Sequence, residues 1–327
     1  MLQNKELLKK SKNLLAFSAG VDSTALLFLL REHKIVFDIA IVDYGLREQS
    51  KEELAYAKEL SQKYNFVCHT YKAVKIENNF EAEARKIRYD FFSSLIKQHH
   101  YDNLLTAHHL GDRFEWMLMQ FCKGAGTLEL SGMQALEKRE HFTLLRPLLH
   151  LEKNQLLEYL KKNSIKYFED ASNTDEKYQR NYFRQNHATP LLHKYSSGIE
   201  RSFQYLDADR NLLAKELKIK KINTFSYFIA AQNRSNILTL DRYFKSLGKM
   251  LSANERELLK KEETTLIARK YVVAYHKQFV FIAPYMPNLK IEKKLKERLR
   301  LLKLEPKLRG YLSTDLEAVE LLSLLLQ

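Results

Sequence analysis

The sequence predicts an α/β protein, a parallel sheet with helices on both faces, followed by a smaller, mainly helical, basic C-terminal domain with a hairpin. Three observations predict it. Apolar strand-like runs alternate with helix-patterned runs through the first two hundred residues, a small polar loop at Ser18–Ser23 joins the first strand to the first helix, and the alternation and near-neutral charge both stop near residue 208. Strand–helix alternation means parallel strands buried on both faces, with ligand-binding loops gathered at their carboxyl ends.

The elements follow in order. The apolar run at 13–17 reads as a buried strand and the periodic run at 23–33 as a helix. A strand at 36–42 leads to a helix at 51–64, where Ser50 and Glu53 have the spacing of a capping box. Strands at 66–71 and 102–107 alternate with helices at 80–99 and 112–122, and a further helix spans 152–163. The ends of strands one, two and four carry Ser18, Asp43 and His108, so these motifs should meet on one rim. A boundary in the Asp207–Arg210 stretch divides a first domain, 1–208, from a second, 209–327. In the second, 211–220 reads as helix, and Leu266–His276 with Gln278–Ala283 as the two β-rich runs of the hairpin. Lys290–Arg300 has Ile291, Leu295 and Leu299 at helical spacing under a charged outer face.

A chain of 327 residues exceeds one usual domain and has enough apolar residues for a sizeable core. It has no apolar run near membrane-spanning length, and Met1–Lys12 is polar and lysine-rich, so a cytoplasmic protein with no membrane partner is expected. Cys68 and Cys122 lie in apolar settings and read as buried thiols, and no Cys-x-x-Cys is present to hold zinc or an iron–sulfur cluster. The net charge of +14 is uneven: residues 211–327 hold 23 Lys and Arg against 12 Asp and Glu, whereas residues 1–210 hold 31 against 28. Such an excess suits a polyanion, with the Lys290–Arg300 run either an RNA contact or a solvated helix face.

The loop carries the most chemistry. Backbone N–H groups of a tight turn and the helix N-terminus behind it point at one spot and favour a phosphate. Asp22 would repel that phosphate unless a metal ion bridged the two, so the loop reads as a site for a magnesium-bound nucleotide or pyrophosphate, the alternative being an ordinary strand–helix turn. Neither the Walker pattern nor the dinucleotide glycine fingerprint is present.

Ser18-Ala19-Gly20-Val21-Asp22-Ser23 resembles the Ser-Gly-Gly-x-Asp-Ser motif of the PP-loop ATP pyrophosphatases, which cleave ATP to AMP and pyrophosphate. Further motifs follow in family order: Val42-Asp43-Tyr44-Gly45-Leu46-Arg47, Glu81 to Tyr89, Thr106 to Glu115, Lys123-Gly124-Ala125-Gly126, Arg146-Pro147-Leu148-Leu149, and Glu169 through Arg184. Together, over roughly residues 13–190, they resemble the tRNA(Ile)-lysidine synthetase family. Five positions depart from the family pattern: Ala19 stands for a glycine, Tyr44 for a histidine, Gly111 for an acidic or amide residue, Trp116 for a threonine and Lys123 for an arginine. At Ala19 a methyl group where φ is positive would cost about 1 kcal/mol or more.

The resemblance implies ATP and Mg2+ as cofactors, and L-lysine and the CAU-anticodon tRNA(Ile) as partners. It places ATP at Ser18, Ala19, Gly20, Val21, Asp22, Ser23 and Asp43, with Asp22 as metal ligand. The substrates fall to Arg85, Arg88, His109, Asp112, Glu115, Lys123, Arg180 and Arg184, and catalysis to Asp22, Asp112 and Glu115. Asp112 and Glu115, at i and i+3, offer acidic partners for lysine's ammonium groups, and the arginines could clamp its carboxylate or a phosphate. Structural alternatives stand beside these. Asp112 could cap the helix 112–122, Arg85 and Arg88 could be surface charges, Gly124 and Gly126 a helix end and a turn, and 173–184 a solvated loop. His108 and His109, adjacent on a strand, would point one to the core and one to the rim. The alternative functions are another PP-loop tRNA-modifying enzyme, or a non-catalytic RNA-binding relic.

Overall fold

The computed structural model describes the chain except residues 46–48, 75, 77–79, 170–178, 214–216, 288 and 327. Two compact units are present, Met1–Leu213 and Ala214–Gln327.

The first unit opens with α1 (Lys5–Lys9), β1 (Asn13–Ala16), α2 (Val21–Glu32), β2 (Phe37–Asp43), α3 (Gln49–Tyr64), β3 (Cys68–Lys72), α4 (Phe80–His99), β4 (Asn103–Leu105) and α5 (Leu110–Phe121). It continues with α6 (Thr127–Leu130), β5 (Leu136–Lys138), β6 (Thr143–Leu145), α7 (Lys153–Lys162), α8 (Gln179–Phe183), a π-helical turn (Arg184–Ala188) and α9 (Thr189–Leu213). The sheet order is β3-β2-β1-β4-β6-β5, parallel throughout except for β5 against β6.

Register shows why β1 is apolar at successive positions. Leu15 lies opposite Ile39 and Leu105, and Leu105 opposite Leu145; this rung packs against Leu26 and Leu30 of α2 and Leu156 and Leu160 of α7. The neighbouring rung, Leu14, Leu104 and Leu144, faces the other way onto Phe92, Leu95 and Ile96 of α4, joined there by Ala40, which pairs with Ala16. Alternate residues thus feed two cores, each buried leucine contributing about 1.5–3 kcal/mol. At the amino end of the sheet Asn13 is fully buried. Its Nδ2 reaches the carbonyls of Leu8, Ser11 and Val36 at 2.8–2.9 Å, and its Oδ1 accepts from Asn103 Nδ2 at 2.9 Å.

The second unit contains β7 (Lys220–Ile222), β8 (Phe225–Ile229), α10 (Asn233–Ser246), α11 (Ala253–Lys261), β9 (Thr264–Ile267), β10 (Tyr271–His276), β11 (Phe279–Pro284), α12 (Lys293–Leu301), α13 (Pro306–Leu312) and α14 (Leu316–Leu325). Its antiparallel sheet, β7-β8-β11-β10-β9, has helices against both faces. Val273, Val280 and Ile282 pack with Ile237, Leu240 and Phe244 of α10, while Val272, Phe279 and Phe281 pack with Leu299, Leu308, Leu312 and Leu322.

Four expectations need correcting. The helix at 211–220 is not formed: α9 runs through the expected boundary to Leu213, and β7 begins at Lys220. Leu217 and Ile219 pack inward while Lys218 and Lys220 are exposed, a period of two that suits extended chain. The run 266–276 is two strands, because Ala268 and Arg269 both take positive φ (50° and 54°) and turn the chain, and β10 then pairs antiparallel with β11 across Lys277 and Gln278. Ser50 is not a cap, since α3 begins at Gln49, whose side chain donates to Glu53 at 3.0 Å. The cysteines are not both buried: Cys122 is exposed at the end of α5, and Cys68, on β3, is half-buried with its thiol pushed up to about 11 by burial. Among the described residues no helix is long and apolar enough to cross a membrane.

Candidate active site

The phosphate loop forms where β1 gives way to α2. Phe17 still pairs with the sheet, its N–H donating to Ala40 O at 2.9 Å; then Ala19 takes φ +58° and Gly20 becomes the N-cap of α2. Ala19 is fully buried, and its carbonyl accepts from Phe168 N–H at 3.0 Å, so strand-like pairing holds the left-handed residue in place. Ser23 Oγ accepts the Ser18 N–H at 3.2 Å, lies 3.1 Å from Ser18 Oγ and donates to Gly20 O at 3.2 Å, which closes the loop into a ring.

Asp22 stands in the first turn of α2, where the helix N-terminus favours negative charge. Its Oδ1 is buried without a hydrogen-bond partner. Burial pushes its carboxyl above the usual range, and Asp112 adds to that, while His109, Lys153 and Arg184 oppose it. Lys153, at the start of α7, is a member of this charge set that the sequence reading missed; the only signal was its place four residues beyond the Arg146–Leu149 motif.

Both histidines lie beyond β4, which ends at Leu105, so their sides are not set by strand alternation. His109 is the N-cap of α5: its Nδ1 accepts from Gly111 N–H at 3.0 Å, leaving Nε2 at 3.8 Å from Asp22 Oδ2 and 3.7 Å from Asp112 Oδ2. A Cβ on Gly111 would fall 2.7 Å from His109 Cε1, so the missing side chain gives the ring its room. His108 Nδ1 sits 2.9 Å from Thr106 Oγ1, and burial pushes its pKa down to about 4, so it is neutral near pH 7.

Asp112 is not the cap of α5 but the third residue inside it, where its Oδ2 accepts the His109 N–H at 3.0 Å. Although burial works against ionisation, its interactions with His109, His108 and Arg180, with that backbone bond, hold its carboxyl well below the usual range. Glu115 is buried, 3% exposed, between two arginines: Arg180 Nε donates to it at 2.9 Å and Arg184 Nε at 2.6 Å. Arg180 Nη2 also reaches Asp112 Oδ1. Asp22, His109, Asp112, Glu115, Arg180 and Arg184 therefore form one contiguous set.

The other expected residues stand apart. Asp43, at the end of β2, accepts from Gly45 N–H at 2.8 Å. Arg85 and Arg88 are exposed on α4, Arg85 lying 4.8 Å over the Tyr89 ring, and among the described residues neither is hydrogen-bonded to the set. Lys123 is exposed in the turn after α5, where Gly124 takes φ +78°; Gly126 is the N-cap of α6. Residues 173–178 of the expected substrate loop lie outside the described residues.

Among the described residues no group of His, Cys, Asp or Glu could hold a metal ion by itself. Magnesium is commonly held by one or two carboxylates plus substrate phosphates. Asp22, with its unpartnered buried Oδ1 beside the phosphate loop, fits that donor set.

Residues 1–191 match the PP-loop domain family with ATP-binding character, and the fold and loop agree with it: this is a PP-loop protein. A tRNA(Ile)-lysidine synthase of Helicobacter pylori (strain ATCC 700392 / 26695) is 43% identical over 312 residues, covering 95% of this chain and 92% of that one. Those of Campylobacter jejuni (strain RM1221) and Wolinella succinogenes are 43% and 42% identical, covering 94% and 95% of this chain and the same shares of their own. The chain belongs to the tRNA(Ile)-lysidine synthase family, which are ligases. The solved U34-tRNA thiolase NcsA of Methanococcus maripaludis shares the fold, with a TM-score of 0.52 at 16% identity over 67% of this chain and 78% of that one. That protein carries a [4Fe-4S] cluster; such clusters take four cysteines as a rule, and this chain has two.

Proposed function

We propose that the chain performs its family's reaction in the cytoplasm: ATP-dependent joining of L-lysine to the wobble cytidine of CAU-anticodon tRNA(Ile), with release of AMP and pyrophosphate. The cytosine 2-oxygen is a poor leaving group. It attacks the α-phosphorus of ATP and pyrophosphate departs; a lysine amine then attacks C2, the C2–O bond breaks so that AMP leaves with that oxygen, and the amine's proton passes to a carboxylate.

Backbone N–H groups of the Ser18–Ser23 loop and the start of α2 cradle the β,γ-phosphates, and Asp43 contributes on the nucleotide side. Asp22 holds Mg2+. When bound, that ion neutralises charge on the departing pyrophosphate. Lysine carries two ammonium groups and one carboxylate, the charges that Asp112, Glu115, Arg180 and Arg184 already satisfy among themselves. An incoming lysine places its two ammonium groups on the two carboxylates and its carboxylate on one arginine, and the second arginine, so displaced, meets an ATP or RNA phosphate. Arg85, Arg88 and Lys123, exposed around the rim, meet RNA phosphate. The C-terminal unit, where the charge excess lies, binds the body of the tRNA.

The observation that carries this reading is the pair of carboxylates held by arginines beside Asp22, whose buried Oδ1 has no hydrogen-bond partner among the described residues. Asp112→Asn tests it. Asn can still accept the His109 N–H, and Arg180 keeps Glu115 as its partner, so a purely structural Asp112 predicts nearly unchanged kinetics. A lysine-recognising Asp112 predicts a raised lysine requirement or a lost second step, with ATP–pyrophosphate exchange in the presence of tRNA largely spared. Lysidine formation against lysine concentration, with thermal unfolding of the same protein, separates the two; unchanged kinetics sink the functional role.

A further inference from the structure

Trp116 is the single tryptophan of the chain, and nothing in the reaction as described uses it. It follows Glu115 on α5 and lies four residues beyond Asp112, so the two share a helix face one turn apart. A large indole gains most by burial, yet Trp116 is 40% exposed, and its N–H makes no hydrogen bond among the described residues.

One edge of the ring is seated. Gly132 has φ +61°, and a Cβ there would come within 3.1 Å of Trp116 Cδ1 and 3.8 Å of Nε1, so the indole rests against bare backbone. That backbone is itself held: Gly132 N–H donates to Glu129 O at 3.1 Å, and the adjoining Ser131 carbonyl accepts from Arg113 Nε and Nη2 at 3.1 and 2.7 Å. A ring seated along one edge, on the same helix as Asp112 and Glu115 and with two-fifths of its surface open, offers a face for stacking.

Chemistry on a base requires that the base leave its stack, and unstacked bases of RNA loops are commonly received on aromatic rings. Building on the lysidine-forming reading, we propose that Trp116 stacks on an unstacked base of the tRNA anticodon loop and so holds the target cytidine near Asp112 and Glu115.

The lone tryptophan makes the test direct. The full chain is titrated with a CAU anticodon stem-loop RNA while its emission is recorded, with binding followed separately by filter retention. Quenching should track binding and be absent with ATP alone. RNAs carrying an abasic residue at the wobble cytidine or at either neighbour identify the stacked base by loss of the quench. Trp116→Ala should lower kcat/KM for RNA by about five- to a hundredfold, with KM for lysine and ATP unchanged, and Trp116→Phe should restore most of it. Bound RNA with unchanged emission, or quenching by ATP alone, overturns the proposal even where a variant fails to fold. Lysidine formed with unchanged emission defeats only the stacking contact; no RNA binding and no lysidine defeat the functional reading with it.

Discussion

The two ends of the first sheet both bury polar side chains, but they treat them differently. At the amino end Asn13 and Asn103 are paired, and Asn13 also satisfies three carbonyls, so the polar cluster is closed. At the carboxyl end Ala19 is held at φ +58°, Asp22 keeps a buried oxygen without a partner, and burial raises its carboxyl. A closed network specifies the fold, whereas an open one marks where a ligand completes it. The first end should therefore matter to stability and the second to turnover.

Asp22→Ala should test this most sharply. It removes a carboxylate that costs desolvation, so the melting temperature should hold or rise, while lysidine formation should fall below a tenth of the wild-type rate, a barrier increase above about 1.4 kcal/mol. Retention of more than that rate rules out the metal-holding role. Asn13→Ala should do the opposite. It orphans the Asn103 amide and three carbonyls, so urea unfolding should show a loss of roughly 2–4 kcal/mol, with activity per folded molecule unchanged. A loss of activity without loss of stability would erase the contrast between the two ends.

Smaller effects sharpen the picture. Replacing Lys293, Lys294 and Lys296 of α12 by Gln should reduce the slope of log affinity for tRNA against log salt by up to about 2. Equal slopes would leave α12 as a solvated face, its Leu299 buried for packing alone. Ala19→Gly should change stability least. Relief of the left-handed strain, about 1 kcal/mol, is offset by roughly 0.5–1 kcal/mol of chain entropy and the loss of a buried methyl. Calorimetry should find a net change within about 1 kcal/mol; a larger ATP affinity shift would show that the methyl group crowds the phosphate.

What was legible in the sequence follows from the range of the forces involved. The runs at 13–17 and 36–42 were readable because strands buried on both faces need continuous apolar residues, and α4 because twenty residues repeat a helical period. Strands β5 and β6, three residues each, carry too little pattern, and β7 was hidden because the alternation that starts at Leu217 breaks at Lys221, too short a span beside a helix end. In the site, Asp22, Asp112 and Glu115 were found by motif, but their pairing with Arg180 and Arg184 joins residues 65 to 69 positions apart, which local pattern cannot report. The cap role of His109 was missed because histidine is not among the usual capping residues and only the bare Gly111 admits its ring.

That ring also fixes the direction in which protons can travel. A backbone amide only donates, so His109 Nδ1, which accepts from Gly111, must keep its lone pair there. Neutral His109 then carries its hydrogen on Nε2, the atom facing Asp22 and Asp112. It can donate toward the two carboxylates but has no free lone pair to offer an attacking amine. In the reaction proposed above, the proton of the lysine amine therefore falls to a carboxylate of the set rather than to His109.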